Sequence, residues 1–191
     1  MNDKKLNLVV INLFAGPGTG KSTLMAGIFY ELKRRGYSCE MTPEYAKDKV
    51  YGENWIDMED QFYIGAKQYH KLFRLKDKVD FAISDSPLPL SIYYDKTKNM
   101  NFRGLIMDKF KEFHNLNFFI ERDLSIPYEE NGRLQTLTES IEIDKEIRDI
   151  LVSSGIPFIS VPSRDALIRI LDEVAKLKVE IEKNDLDIEN L

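Results

Sequence analysis

Short, nearly unbroken apolar runs alternate along this chain with longer stretches in which apolar residues return every three or four positions. The runs are "LNLVVINLF" (6–14), "YSCEMT" (37–42), "DFAISDS" (80–86), "LNFFIE" (116–121) and "PFISVP" (157–162). Their length and continuous apolar character predict strands buried on both faces. Between the first two runs, Leu24, Met25, Ile28, Phe29 and Leu32 recur at helical spacing from Lys21 to Arg35, and Gly36 stands where a C-terminal cap belongs. Further helical patterns cover 45–51, one long stretch at 55–78, then 89–95, 102–113 and 137–153, the last closed by Gly155. A final helix is expected from Ser163, with Leu167, Ile170, Leu171, Val174 and Leu177 on one stripe. Strand–helix alternation of this kind predicts an α/β fold whose parallel sheet carries helices on both faces.

Composition narrows the picture only slightly. The chain has 191 residues, 43% of them hydrophobic, enough for one cored domain over 1–178. The acidic tail at 179–191 is expected to fray, a partner contact through its alternating Leu and Ile being the alternative. A net charge of −5 argues against a protein built to grip a nucleic-acid backbone, although a local basic row exists at Lys67, Lys71, Arg74, Lys76 and Lys78. Cys39 is the single cysteine, so neither a disulfide framework nor a cysteine metal site is available, and a reducing, cytoplasmic setting is expected. The apolar segment behind the charged "MNDKK" is too short to span a bilayer and reads as a strand. Oligomeric state leaves no trace in the sequence.

The chemistry starts where the first run ends. "AGPGTGKST", comprising Ala15, Gly16, Pro17, Gly18, Thr19, Gly20, Lys21, Ser22 and Thr23, lies between an apolar strand and an amphipathic helix. It fits the phosphate-binding loop in relaxed form, with Ala15 at the usual first glycine. Glycines let main-chain N–H groups turn inward around a polyphosphate, and the following helix aims its positive end at that anion. Lys21 can reach the β- and γ-phosphates, and the Ser22 hydroxyl can ligate Mg²⁺. These features predict ATP and Mg²⁺ as ligands, on a three-layer phosphate-loop NTPase fold with five strands ordered 2-3-1-4-5.

Two carboxylates belong to the same edge of such a sheet. Asp85 follows the third run, where it can hold the metal, act on an acceptor hydroxyl, or instead cap the next helix through the Pro87 turn. Glu44, in "TPEYAKD", follows the second run and is a candidate base, the alternative being a surface pairing with Lys47 or Lys49. Gln61 in the long helical stretch can pair with the edge of a planar ring. "IERDLSIPYEENGRLQT" (120–136) lies where small phosphotransferases carry a lid, here about 122–135, with Arg122 and Arg133 able to close on the transferring group and Gly132 as a hinge. His70 and His114 are read as surface or packing residues.

In their order, "GPGTGKS", "PEYAKD", "QFYIGAKQY", "AISDSP", "ENGR" and "GIPFISV" resemble the NadR-like ribosylnicotinamide kinase group of small phosphate-loop kinases, from about residue 6 to 175. The resemblance implies ATP as phosphoryl donor to a hydroxyl of a nucleoside- or nucleotide-type acceptor. It implies Glu44 and Asp85 as the acid/base and metal-side carboxylates, Arg133 as a lid arginine, and Tyr45, Gln61 and Tyr69 on the acceptor side. The chain departs from that group at Asp85-Ser86-Pro87, where the group shows Asp-Thr-Asp, so its nicotinamide-specific contacts do not carry over. Two other functions remain open: a kinase of a hydroxyl on DNA or a modified base, which would suit a phage genome, and a switch or binding ATPase.

Overall fold

The computed structural model describes residues 8–128 and 135–189, without the side chains of Asp48 and of 182–189. Five parallel strands, β1 (Val9–Phe14), β2 (Cys39–Thr42), β3 (Phe81–Ser84), β4 (His114–Glu121) and β5 (Ile159–Pro162), form one sheet ordered β2-β3-β1-β4-β5, as the sequence predicts. Helices α1 (Lys21–Arg34) and α8 (Ala166–Glu189) lie on one face. On the other lie α4 (Gln61–Phe73), α5 (Leu90–Tyr94), α6 (Met100–Phe110) and α7 (Leu137–Ser153), while α2 (Tyr45–Tyr51) and α3 (Trp55–Glu59) fill the link between β2 and α4.

The alternating sides of β1 separate two cores. Val9, Ile11 and Leu13 pack under Met25, Ile28 and Leu32 of α1 and Ile170, Leu171 and Val174 of α8. Val10 and Phe14 face Leu72, Ile106, Phe110, Ile143, Ile147 and Leu151. Asn12 breaks the apolar run on that second side, and a polar group there must find a partner. Its amide donates to Asn115 and Asn117 on β4, each at 2.9 Å, in the register that pairs Asn12 with Asn117. The side chains thus add a polar check on strand alignment to the main-chain ladder.

The long helical stretch expected at 55–78 is divided. Asp60 adopts φ −88°, ψ 86° and its carboxylate accepts the Tyr63 N–H at 2.9 Å, so it ends α3 and caps α4. A side-chain cap overrides an unbroken apolar period here. α7 spans the predicted 137–153, started by the capping box of Thr136 and Glu139. α8 runs on to Glu189, through the stretch expected to fray. No helix among the described residues is long and apolar enough to cross a membrane.

Ile147, on α7 in the second core, is 1% exposed, whereas Val152 on the same helix is 66% exposed. Ile147→Ala should cost about 2–5 kcal/mol in chemical denaturation, and Val152→Ala should stay within about 0.5 kcal/mol.

Candidate functional site

β1 stops at Phe14, and the chain turns through Ala15–Gly20 before α1 begins. Two glycines allow that turn: Gly18 at φ 76° and Gly20 at φ 86°, left-handed values that a side chain resists. Gly20 is the N-cap of α1, with no side chain bonded over it and no acidic residue in the first turn, so the positive helix end faces the loop. The loop is tied to itself. Thr19 Oγ1 donates to the Gly16 carbonyl at 2.6 Å, and Lys21 Nζ donates to the carbonyls of Ala15 at 2.8 Å and Gly16 at 2.9 Å. Burial holds the Lys21 pKa below its ordinary value, although Glu44, Asp85 and Asp144 all favour its charge.

Asp85 directly follows β3 and is 3% exposed. Its Oδ2 accepts the Ser22 hydroxyl at 2.6 Å, and its Oδ1 accepts the Glu44 N–H at 2.9 Å. One carboxylate therefore joins the start of α1 to the end of β2. Asp85 does not cap the next helix: the N-cap of α5 is Pro89, with no side-chain bond.

Glu44 arrives from β2 one residue before α2. Its carboxyl has no hydrogen-bond partner among the described residues, and burial first, then the Asp85 charge, push its pKa above the ordinary carboxylate value, with Lys21 opposing. No ion pair of Glu44 with Lys47 or Lys49 forms among the described residues: Lys49 instead binds Asp57 at 2.7 Å, and Lys47 acts on Glu44 only through its charge. Tyr94 ends α5, 36% exposed; desolvation of its phenol, then the Glu44 charge, raises its pKa.

The acceptor-side residues separate. Gln61 opens α4; its Nε2 donates to the Met58 carbonyl at 2.9 Å, and its Oε1 is buried without a partner. The Tyr45 hydroxyl meets that of Tyr63 at 2.7 Å, and its ring lies beneath Lys49 and Lys71. Tyr69 lies apart, packed on Phe73 and Phe113 with its hydroxyl on Glu112 at 2.8 Å. One step of helix rotation explains this, because the inward stripe of α4 is Ile64, Gly65, Gln68 and Leu72.

Gln68 is the residue that motif reading missed. Only 3% exposed, it accepts the Tyr45 N–H at 3.2 Å and donates to the Thr42 carbonyl at 3.3 Å, so it holds the segment that presents Glu44. A polar residue on an otherwise apolar stripe was the available signal. In the basic row, Lys67 lies over Tyr63, Lys71 donates to the Pro43 carbonyl, and Lys76 pairs with Glu112.

Arg122, expected in a lid, stands at the end of β4 against the phosphate loop. It donates to Asp144 Oδ2 at 2.7 Å and to the Pro17 carbonyl at 2.8 Å. Arg133 and Gly132 lie outside the described residues. Tyr128 was not anticipated. Its ring sits so close to Gly18 that an added Cβ would lie 2.3 Å from it, and its hydroxyl meets Ser140 at 2.9 Å. Among the described residues, no cluster of three or more His, Cys, Asp or Glu side chains is arranged to hold a metal.

A family model described as an AAA domain matches residues 10–169. The chain belongs to this AAA domain family. No curated protein matches the sequence. Among solved structures, a deoxyadenosine kinase from M. mycoides with the products dCMP and a flexible dCDP bound is 18% identical to this AAA domain. That match covers 89% of this chain and 99% of the kinase, with a TM-score of 0.51. A structure of deoxyadenosine kinase from M. mycoides with bound dATP is 17% identical over 87% of this chain and 99% of its own, at a TM-score of 0.49. The first likeness shows that the AAA domain shares its overall fold with that kinase, here a five-stranded parallel sheet ordered β2-β3-β1-β4-β5.

Gly16 allows the loop to touch α7: a Cβ there would lie 2.7 Å from the Ser140 carbonyl oxygen and 2.9 Å from Asp144. Gly16→Ala should lower stability by about 1–3 kcal/mol in thermal unfolding. Gly104→Ala, with nothing within 4 Å on α6, should be neutral or stabilising by about 0.5–1 kcal/mol.

Proposed function

We propose that this AAA-domain protein is an ATP-dependent phosphotransferase that moves the γ-phosphate to a hydroxyl of a nucleoside- or nucleotide-type acceptor, as its likeness to NadR-like kinases implies. The observation that carries the proposal is the division between two carboxylates beside Lys21. Both oxygens of Asp85 are engaged, by Ser22 and by the Glu44 N–H, whereas the Glu44 carboxyl has no hydrogen-bond partner among the described residues and is raised in proton affinity.

That asymmetry gives each a role. Ser22 and Asp85 supply hard oxygen ligands suited to Mg²⁺, which when bound would neutralise charge on the β- and γ-phosphates. Glu44 takes the proton of the acceptor hydroxyl as its oxygen bonds to the γ-phosphorus and the bond from that phosphorus to the β,γ-bridging oxygen breaks, releasing ADP. Lys21 exchanges its two carbonyl partners for phosphate oxygens. The main-chain amides and the end of α1 stabilise the charge that builds on the transferred group. Tyr94 borders Glu44, and the unpartnered Gln61 Oε1 is an acceptor for a donor group on the bound molecule. Arg133 is the lid arginine in this reading.

Incubation with ATP, Mg²⁺ and a panel of nucleosides, nucleotides and hydroxymethylated DNA, read by mass spectrometry, tests the proposal. A phosphorylated small molecule is expected. Label on the DNA alone would move the acceptor to a polymer, and hydrolysis without any phosphorylated product would overturn phosphotransfer. Glu44→Gln should lower kcat by about 10²–10⁴-fold. Because the Glu44 pKa is raised above 4.5, the basic form is lost as pH falls through that higher value. The acid limb of the kcat/KM profile, which reports the free protein, should therefore stand above pH 4.5 and vanish in Glu44→Gln.

A further inference from the structure

α7 places a carboxylate where a phosphate-binding loop would be expected to avoid one. Asp144 Oδ1 accepts the main-chain N–H of Gly16 at 2.6 Å. Its other oxygen accepts Arg122 Nε at 2.7 Å, and Arg122 Nη2 donates to the Pro17 carbonyl at 2.8 Å. The two side chains are 8% and 15% exposed, so this is an ion pair largely withdrawn from water. A closed ring results: loop amide, Asp144, Arg122, loop carbonyl.

The ring has a mechanical side and an electrostatic one. Mechanically, it fixes the entry arm of the loop at two successive residues, Gly16 and Pro17, from two different elements. Electrostatically, a lone carboxylate on the loop would repel a polyphosphate at short range in a poorly screened environment. Both charges reach the centre of the site, since Asp144 favours the Lys21 ammonium and Arg122 opposes it. With both present, the arm is held by a strong charged acceptor while the net charge beside the cradle stays near zero.

We propose that Asp144 and Arg122 form a positioning pair for the donor nucleotide: Asp144 anchors the Gly16 amide, and Arg122 cancels the negative charge which that anchor would turn on the phosphates. This rests on the nucleotide-binding part of the function proposed above. Arg122 acts through Asp144 and the loop, not by touching the transferred group.

The pair predicts an unusual pattern of binding losses. Arg122→Gln leaves an uncompensated carboxylate and should weaken MgATP binding by more than about tenfold, because breaking one side of a buried pair strands the other charge. Asp144→Asn keeps an oxygen for the Gly16 amide and should lose no more than about threefold. The double variant Arg122→Gln/Asp144→Asn should bind MgATP at least about threefold more tightly than Arg122→Gln alone, a non-additive cycle. The deficit of Arg122→Gln should also be larger for ATP than for ADP, since the repulsion grows with ligand charge. Arg122→Lys keeps the charge but not the two-pronged donor, and guards against a misfolded glutamine variant; it should recover part of the loss and bind MgATP more tightly than Arg122→Gln.

Calorimetry with ATP and ADP in the presence of Mg²⁺ on the full chain reads all of these. A double variant as weak as Arg122→Gln, or a deficit equal for the two nucleotides, would overturn the pairing. So would an Arg122→Lys variant that binds no better than a glutamine variant. If the unaltered protein bound nucleotide but phosphorylated no acceptor, only the proposed transfer would fall. Binding of neither nucleotide would overturn both.

Discussion

A loop that encloses phosphate must turn its main-chain donors inward, and nothing in such a loop can hold it in shape by side-chain packing alone. In this protein the shape is imposed by hydrogen bonds made both within the loop and from outside it. Thr19 and Lys21 fasten the carbonyls of Ala15 and Gly16, and Asp144 and Arg122 fasten the amide of Gly16 and the carbonyl of Pro17. Every functional distance in the site is measured from that frame. Lys21 is aimed by it, Ser22 follows it into α1, and Asp85 reads its position through Ser22.

The two cores serve this frame differently. Beneath α1 and α8 the sheet is packed by apolar side chains, Phe81 and Phe118 among them, and is a fixed platform for the loop and the first turn of α1. On the other side, polar residues are threaded among the apolar ones: Asn12 with Asn115 and Asn117, Gln68 on α4, Ser140 and Asp144 on α7. Buried polar groups must be paired, so each forces one arrangement of the elements around it. Gln68 sets the approach of Glu44, and Asp144 sets the approach of the loop. The helices of this second layer therefore carry site geometry as well as hydrophobic contact.

The fold was largely legible because strand and helix periods differ and the strands are continuous apolar runs; the sheet order and the bounds of α7 follow from them. Lys21, Ser22, Glu44 and Asp85 were legible because a phosphate loop and the ends of parallel strands meet at one edge of the sheet. Side-chain partnerships across the fold were not. Asp60 divides a stretch whose apolar period is unbroken. Tyr69 shares a helix with Gln68 yet points to Glu112, because a single position turns a helical side chain by about 100°. Arg122 reads as a lid residue by its place in the chain, but Asp144 draws it under the loop. On α4 the informative mark was a polar residue, Gln68, on the buried stripe.

The central claim is that Lys21 and the loop around it form the seat of the phosphates, opposite Glu44. The most direct measurement is a crystal structure of the protein with ADP, Mg²⁺ and aluminium fluoride as a mimic of the transferred phosphoryl group. The account predicts Lys21 Nζ moved from the carbonyls of Ala15 and Gly16 onto phosphate oxygens and the fluoride group, with Glu44 on the far side of the mimic. Nucleotide seated elsewhere, or Lys21 still bonded to those two carbonyls beside a bound nucleotide, would contradict it.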